Sequence, residues 1–230
     1  MIPPQIRSAG IARKPGSAQS RGEAVAFVGA FILPLGLFAV LAAGVAAGEH
    51  GWDSDILRFS GRYYKPSIAT PLEETLKISI GVGAAIVVAA LVVLLVRKRR
   101  AQALFWALAV GGVVAFELPL KEIFRRPPIG DHGGGYSFPS GNAMASVAIV
   151  AVIALTSSGR WRKRTLAVGV PLVVAYGVIL IYQWWHYPSD IVAGWCLALA
   201  WVTGLWLVLR RTASFDCDGA GNTGPPPSER

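Results

Sequence analysis

The sequence predicts an all-α membrane protein, a bundle of six transmembrane helices with both termini in the cytoplasm. Of its 230 residues, 53% are hydrophobic and only 15% are charged, which is too apolar for an ordinary soluble domain. Six segments also approach the roughly 20 apolar residues that a membrane span needs. Finally, the basic residues cluster on one side of the topology that these six spans define.

The six predicted spans leave little chain for a separate soluble domain. They cover residues 24–47, 78–96, 103–120, 139–158, 165–185 and 189–209. We interpret the first as a retained helix rather than a signal peptide, because it is long and no separate soluble domain follows it. The membrane domain is then 23–211. The basic segment 1–22 before it and the tail 212–230 after it are predicted to be disordered.

The charge distribution orients the bundle and argues against a nucleic-acid partner. With the N-terminus inside, 15 of the 22 lysines and arginines lie in cytoplasmic segments. Basic clusters at 97–100, 160–164 and 210–211 each follow an even-numbered span, as the positive-inside rule expects. The net charge of +9 therefore sets topology and favours contact with anionic headgroups. We expect a multi-pass protein of the plasma (inner) membrane whose partners are membrane lipids.

The first external segment, 48–77, is predicted to lie along the membrane interface. It carries Trp52, Tyr63 and Tyr64 among charged residues. Tryptophan and tyrosine favour the headgroup level, where one end of the ring is apolar and the other is wet.

The external loop before the fourth span is unusual because its basic residues oppose the topology bias. Lys121, Arg125 and Arg126 suit an anion site, or else they are a solvated flank of the membrane segment. Glu117 lies four residues before Lys121, which fits either a functional pair at membrane depth or a structural ion pair. His132, further along the loop, reads more readily as a solvated residue.

Two short strings at the external ends of predicted helices carry the chemistry. The string FPSGN at 138–142 opens the fourth span, where a serine hydroxyl, a glycine and free helical N–H groups can cradle a phosphate. A turn followed by a capped helix gives the same pattern. The string HYPSD at 186–190 opens the last span. If the helix begins near 186, His186 and Asp190 share one face, and the carboxylate can fix the imidazole tautomer. An interfacial histidine beside a capping aspartate is the alternative.

On these residues the chain resembles the type 2 phosphatidic acid phosphatase family, which is related in fold to the vanadium haloperoxidases. The resemblance covers the six-span layout and about 121–194. Members carry Lys-x6-Arg-Pro, Pro-Ser-Gly-His and Ser-Arg-x5-His-x3-Asp, need no metal and work through a phosphohistidine. The resemblance implies that His186 is the nucleophile and Asp190 its orienting partner. It also implies that Lys121, Ser140 and Gly141 are phosphate ligands. We expect Arg126, or else Arg125, to replace a missing arginine of the family pattern.

Several motif positions differ from the family pattern. The Arg-Pro slot holds Pro128-Ile129, and the pair Arg126-Pro127 stands two positions early. The Ser-Arg slot before the nucleophile holds Ile179-Leu180, and the acid histidine of the family is replaced by Asn142. Asn142 and His132 are therefore the candidate contacts of the leaving group.

Two functions remain open. The first is a metal-independent lipid phosphatase without a cofactor, which hydrolyses a lipid phosphate or polyprenyl diphosphate on the periplasmic or extracellular side. Three histidines and scattered carboxylates show no metal-ligand spacing. The second is a catalytically impaired member that binds, or helps to move, a phospholipid or polyprenyl phosphate. The retained His/Asp pair favours the first function, and the lost acid and arginines favour the second.

Overall fold

The structure, a computed structural model, describes residues 17–48, 51–129 and 135–212, and every regular element in these ranges is a helix. The all-α prediction is therefore confirmed for them. Residues 17–22, which the sequence indicated as disordered, are helical. The helices are α1 Ser17–Ala46, α2 Gly51–Arg62, α3 Pro66–Val96, α4 Arg100–Phe124, α5 Gly141–Thr156, α6 Gly159–Tyr182 and α7 Pro188–Thr212.

Five of the described helices are long and apolar enough to cross a membrane, so the chain is an integral membrane protein. They are Val25–Ala46, Pro66–Val96, Arg100–Phe124, Gly159–Tyr182 and Pro188–Leu209. The fourth predicted span, 139–158, is instead the 16-residue α5. At 1.5 Å per residue this helix is about 24 Å long, short of a hydrocarbon core of about 30 Å. The count of six spans and the cytoplasmic termini stay predictions.

Helix α7 lies at the centre of the bundle and α5 packs directly beside it. α7 contacts α1, α4 and α5, and α5 contacts α4, α6 and α7. Of the most apolar stretch of α7, 44% is buried, against 6% in α1 and in α3. α1 and α3 therefore present apolar outer faces suited to lipid, while the two helices that open with the sequence motifs are interior.

The main apolar core joins one face from each of three helices. Each face repeats at intervals of four residues, which places its members above one another on a helix. The residues are Phe105, Ala109 and Val113 of α4, Met144, Ala148 and Val152 of α5, and Ala198, Val202 and Trp206 of α7. At the motif end of the bundle, Gly194 lets α7 approach α5 closely. A Cβ there would lie 2.7 Å from the carbonyl oxygen of Ser140.

The segment 48–77 is mostly helical, and its position at the membrane interface stays a prediction. α2 is a separate helix of 12 residues, and α3 begins at Pro66, well before residue 78 where the span was predicted to start. Proline suits the first turn of a helix, where no N–H partner is needed. Lys77 pairs with Glu73 and Glu74 at 3.0 and 3.2 Å, so charged turns extend the apolar helix. At 31 residues, or about 46 Å, α3 is long enough for these turns to lie outside the hydrocarbon core.

Candidate active site

The Pro-Ser-Gly string forms the capped N-terminus of α5. Ser140 is the N-cap residue, and its Oγ accepts a hydrogen bond from the backbone N–H of Ala143 at 3.3 Å. Its own backbone N–H donates to the carbonyl oxygen of Asp190 at 3.1 Å. Ser140 is fully buried, whereas Gly141 is partly exposed. The capping interpretation of this string is therefore present in the structure, and it ties the start of α5 to the start of α7.

His186 lies just before α7, which begins at Pro188 rather than near residue 186. Its Nδ1 is 3.1 Å from the carbonyl oxygen of Ser137 and 3.5 Å from Oδ2 of Asp190. A carbonyl oxygen can only accept, so this geometry assigns the imidazole proton to Nδ1. The lone pair is then on Nε2. The side chain of His186 is 11% exposed, so a small part of the ring reaches the surface.

Asp190 is held from several sides and is fully buried. Its Oδ2 accepts from the backbone N–H of Tyr187 at 3.0 Å, and its Oδ1 pairs with Nη1 of Arg126 at 2.7 Å. Oδ2 is thus the oxygen that faces His186, while Oδ1 faces the guanidinium. The pair predicted from the sequence is present, although the shortest contact of the imidazole is to the Ser137 carbonyl.

Arg126 connects three parts of the chain. Its Nη2 pairs with Oδ2 of Asp53 at 2.6 Å, and its Nη1 contacts Oγ of Ser189 at 2.5 Å as well as Asp190. The guanidinium carbon lies 3.8 Å from the ring centroid of Tyr187, within cation–π distance. Arg126 is 3% exposed. It therefore sits behind the His186–Asp190 pair and joins α2, the loop after α4 and the start of α7.

Lys121 and Gly141 meet through a third residue, Glu117. Nζ of Lys121 is 2.7 Å from Oε1 of Glu117, one turn earlier on α4. The Glu117 carboxylate also lies directly over Gly141, in contact with the position that a Cβ on that residue would occupy. An anionic group thus stands at the N-terminus of α5, where the backbone N–H groups favour negative charge.

Asn142 lines a cavity of about 540 Å³ between α3, α4, α5 and α6. Glu117 and Gly141 form part of the same wall, next to mainly aliphatic side chains. The cavity therefore has one polar end beside the Pro-Ser-Gly string, and its other walls are mainly aliphatic, with the hydroxyl side chains of Ser79, Ser146 and Tyr176 among them. The other candidate contact of the leaving group, His132, lies outside the described residues.

The slot that holds an arginine in the family pattern is apolar here. Leu180 is fully buried and packs in a cluster with Leu76, Ala143 and Ile191. In the described part of the chain, no group of three or more His, Cys, Asp or Glu side chains is placed to hold a metal ion.

Sequence reasoning identified most of these residues but missed Asp53. His186, Asp190 and Arg126 come together in one cluster, and Lys121 and Gly141 come together around Glu117. Asp53 lies 73 positions before Arg126 in a segment that was predicted to be interfacial. An acidic residue in a short polar helix gave no signal of its burial, because its partners belong to distant parts of the chain.

Comparison with known proteins finds similarity to one family over the region that holds this site. The family model of the PAP2 superfamily matches residues 116–213, the part of the chain that holds Lys121, both motif strings and α7. A solved structure, the "first transmembrane PAP2 type phosphatidylglycerolphosphate phosphatase from Bacillus subtilis", is similar with a TM-score of 0.66. The two chains are 19% identical over 79% of this chain and 98% of that one. No curated protein matches. Residues 116–213, fewer than half of the chain, are thus similar to the PAP2 superfamily, and the fold is similar to that of a transmembrane PAP2-type phosphatase.

Proposed function

We propose that this protein is a lipid phosphatase that works through a phosphohistidine at His186. The observation that carries the proposal is the orientation of the imidazole. Nδ1 is engaged by the Ser137 carbonyl and faces Asp190, which leaves the Nε2 lone pair for phosphorus. The family-model match and the fold shared with the membrane phosphatase from Bacillus subtilis support the lipid phosphatase part of this proposal.

In the proposed reaction, Nε2 of His186 attacks phosphorus as the bond to the leaving oxygen breaks. The electron pair of that bond stays on the leaving alkoxide or phosphate. The imidazole gains positive charge when the P–N bond forms, and the buried carboxylate of Asp190 stabilises that charge. Water then attacks the phosphohistidine, releases inorganic phosphate and restores the neutral imidazole.

The phosphate is proposed to bind between Lys121 and the N-terminus of α5. Lys121 supplies a positive charge, and the N–H groups around Gly141 point at the same place. The hydroxyl proton of Ser140 remains available, because its Oγ acts as the acceptor in the cap. Glu117 occupies this position in the structure, so an incoming phosphate displaces it. Arg126 was expected among the ligands, but its terminal nitrogens contact carboxylates here, and we propose that it acts through Asp190.

The cavity beside Asn142 supports a lipid substrate. Its walls are mainly aliphatic and its polar end carries Glu117, Gly141 and Asn142. A lipid chain fits the apolar part while its phosphate reaches the polar end. The asymmetry of basic residues supports an outer-face site, because the positive-inside rule predicts both motif strings on the periplasmic or extracellular side.

A second function is favoured by the apolar environment of Leu180 and by the position of Glu117. The buried leucine offers no charge to a phosphate, and Glu117 neutralises Lys121. A protein of this kind would bind, or help to move, a phospholipid or polyprenyl phosphate without hydrolysing it.

Phosphate release separates the two functions. The full chain, purified in detergent, is given phosphatidic acid, phosphatidylglycerol phosphate, a polyprenyl phosphate and a polyprenyl diphosphate in separate reactions. We expect release of inorganic phosphate from at least one substrate by the wild type and none above background by His186→Ala. Lipid binding without release, equal in wild type and His186→Ala, contradicts the enzyme and supports the second function.

A further inference from the structure

The buried carboxylate of Asp53 takes no part in the reaction described above. Its side chain is 1% exposed, and its ion pair and hydrogen bonds lead to Arg126 and Ser189, next to Asp190. Oδ2 pairs with Nη2 of Arg126 at 2.6 Å and accepts from Oγ of Ser189 at 2.5 Å. Oδ1 accepts from the backbone N–H of Ser189 at 2.8 Å. Both oxygens of this carboxylate are therefore engaged, although α2 carries none of the sequence motifs. This arrangement indicates a specific role for Asp53.

The charges of the cluster suggest what that task is. Arg126 carries one positive charge and contacts two carboxylates, those of Asp53 and Asp190. The charge of Arg126 is therefore shared between these two carboxylates, and the carboxylate of Asp190 complements the positive charge that His186 gains when it is phosphorylated. Without Asp53, the guanidinium would interact more strongly with Asp190, because burial strengthens such an interaction.

We propose that Asp53 is a positioning residue for the His186–Asp190 pair. It balances the charge of Arg126, so that Asp190 stays available to the imidazole, and it fixes Ser189 at the start of α7. The expected effect of Asp53 on turnover rests on the proposed function. The expected effect of Asp53 on the chemical reactivity of His186 does not depend on that function.

A merely structural role must be separated from this one, because breaking a buried ion pair also destabilises a protein. The design uses Asp53→Asn, the double variant Asp53→Asn/Arg126→Gln, and the matched control Asp55→Asn. Asp55 lies on the same helix, but its side chain is 72% exposed and pairs with Arg58. The double variant removes both charges while keeping groups that can form hydrogen bonds.

Turnover provides the first readout. Asp53→Asn should lower kcat about 10- to 100-fold and change KM little. This is the range found when the hydrogen-bond partner of a metal-ligating histidine is removed, which is a comparable indirect role. The double variant should have a higher kcat than Asp53→Asn, because no guanidinium then competes with the imidazole for Asp190. A structural role predicts the reverse, since the double variant would lose more contacts. Asp55→Asn should behave as the wild type.

Carbethoxylation of the imidazole by diethyl pyrocarbonate gives a readout that needs no turnover. The rate of modification at residue 186 is followed by peptide mass spectrometry. Asp53→Asn should lower this rate, because a carboxylate drawn to Arg126 supports the imidazole less, and the double variant should restore it. Asp55→Asn should leave it unchanged. Circular dichroism and size-exclusion profiles check that the variants are folded.

The outcomes distinguish this inference from the proposed function. If the wild type has no turnover but the modification rates follow the expected order, the phosphatase proposal fails and the role of Asp53 stands. If the wild type turns over and Asp53→Asn matches it in both readouts, or if the double variant is no better than the single one, the inference is overturned. Should Asp53→Asn aggregate, the double variant decides. In that case, a kcat and a modification rate of the double variant of at least about a tenth of the wild-type values support the role, and lower values overturn it.

Discussion

Replacing Glu117 by glutamine should tighten the binding of inorganic phosphate. The Glu117 carboxylate lies over Gly141 at the N-terminus of α5 and pairs with Lys121 at 2.7 Å. A phosphate cannot use the same N–H groups and the same ammonium until this carboxylate moves away. Glutamine keeps the size of the side chain but removes the charge that competes with the ligand.

The size of the effect follows from the two interactions that Glu117 gives up. The pair with Lys121 is only partly buried, with side chains 29% and 21% exposed, so it is worth about 0.2–1 kcal/mol. A carboxylate at a helix N-terminus adds about 0.3–1 kcal/mol. Together they amount to about 0.5–2 kcal/mol, and at about 1.4 kcal/mol per factor of ten this tightens phosphate binding about 2- to 30-fold.

Isothermal titration of the purified protein with inorganic phosphate measures this change. Glu122→Gln is the matched control. Glu122 lies on the same helix, but its side chain is 68% exposed and its Oε2 forms only a long ion pair, 3.8 Å from Nε of Arg125. Solvent and salt screen such a charge, so we expect its Kd to stay within about a factor of two of the wild type. Equal or weaker phosphate binding by Glu117→Gln would refute the competition. Equal tightening in both variants would attribute the effect to net charge instead.

Three further predictions concern the reaction and its side of the membrane. Asp190→Asn should lower phosphate release less than His186→Ala, because it removes orientation and charge stabilisation but leaves the nucleophile; the initial rates of both variants check this. Asn142 has no proton to give near neutral pH, so the wild type should prefer a diphosphate, and Asn142→His should raise monoester turnover by up to about 10²–10⁴-fold and diphosphate turnover much less. Equal rates on both substrates, unchanged by His132→Ala, would contradict this. In Gly133→Cys, an impermeant thiol reagent added outside intact cells should label the loop; labelling only after the inner face is opened would reverse the topology.

The sequence allowed the helical membrane fold and the paired motif strings to be predicted, since both depend on local pattern. Long apolar stretches can only be satisfied in lipid as helices, and so the all-α class followed from composition. The first and last residues of the helices were harder to predict. α5 is four residues shorter than the span predicted at 139–158, because Ser140 caps it and Ser157 ends it. α3 is longer than predicted, because charged turns continue an apolar helix.

The arrangement of charges in the site could not be predicted because it depends on contacts between distant segments. Arg126 was expected to face phosphate, yet it lies between Asp53 and Asp190. Its position follows from the packing of α2 against α7, which no local spacing encodes. The pairing of Glu117 with Lys121 could be predicted from their four-residue spacing. The position of the Glu117 carboxylate over Gly141 could not be predicted, since it depends on how closely α4 approaches α5.

Detection of a phosphoryl group on residue 186 tests the central claim most directly. The wild-type protein is mixed with a polyprenyl diphosphate, quenched within the first turnovers and digested, and its peptides are examined by mass spectrometry. The account predicts phosphate on His186 in the wild type, and neither modified peptide nor phosphate release in His186→Ala. Steady release of phosphate by His186→Ala, or rapid turnover by a wild type whose His186 is never phosphorylated, would contradict it.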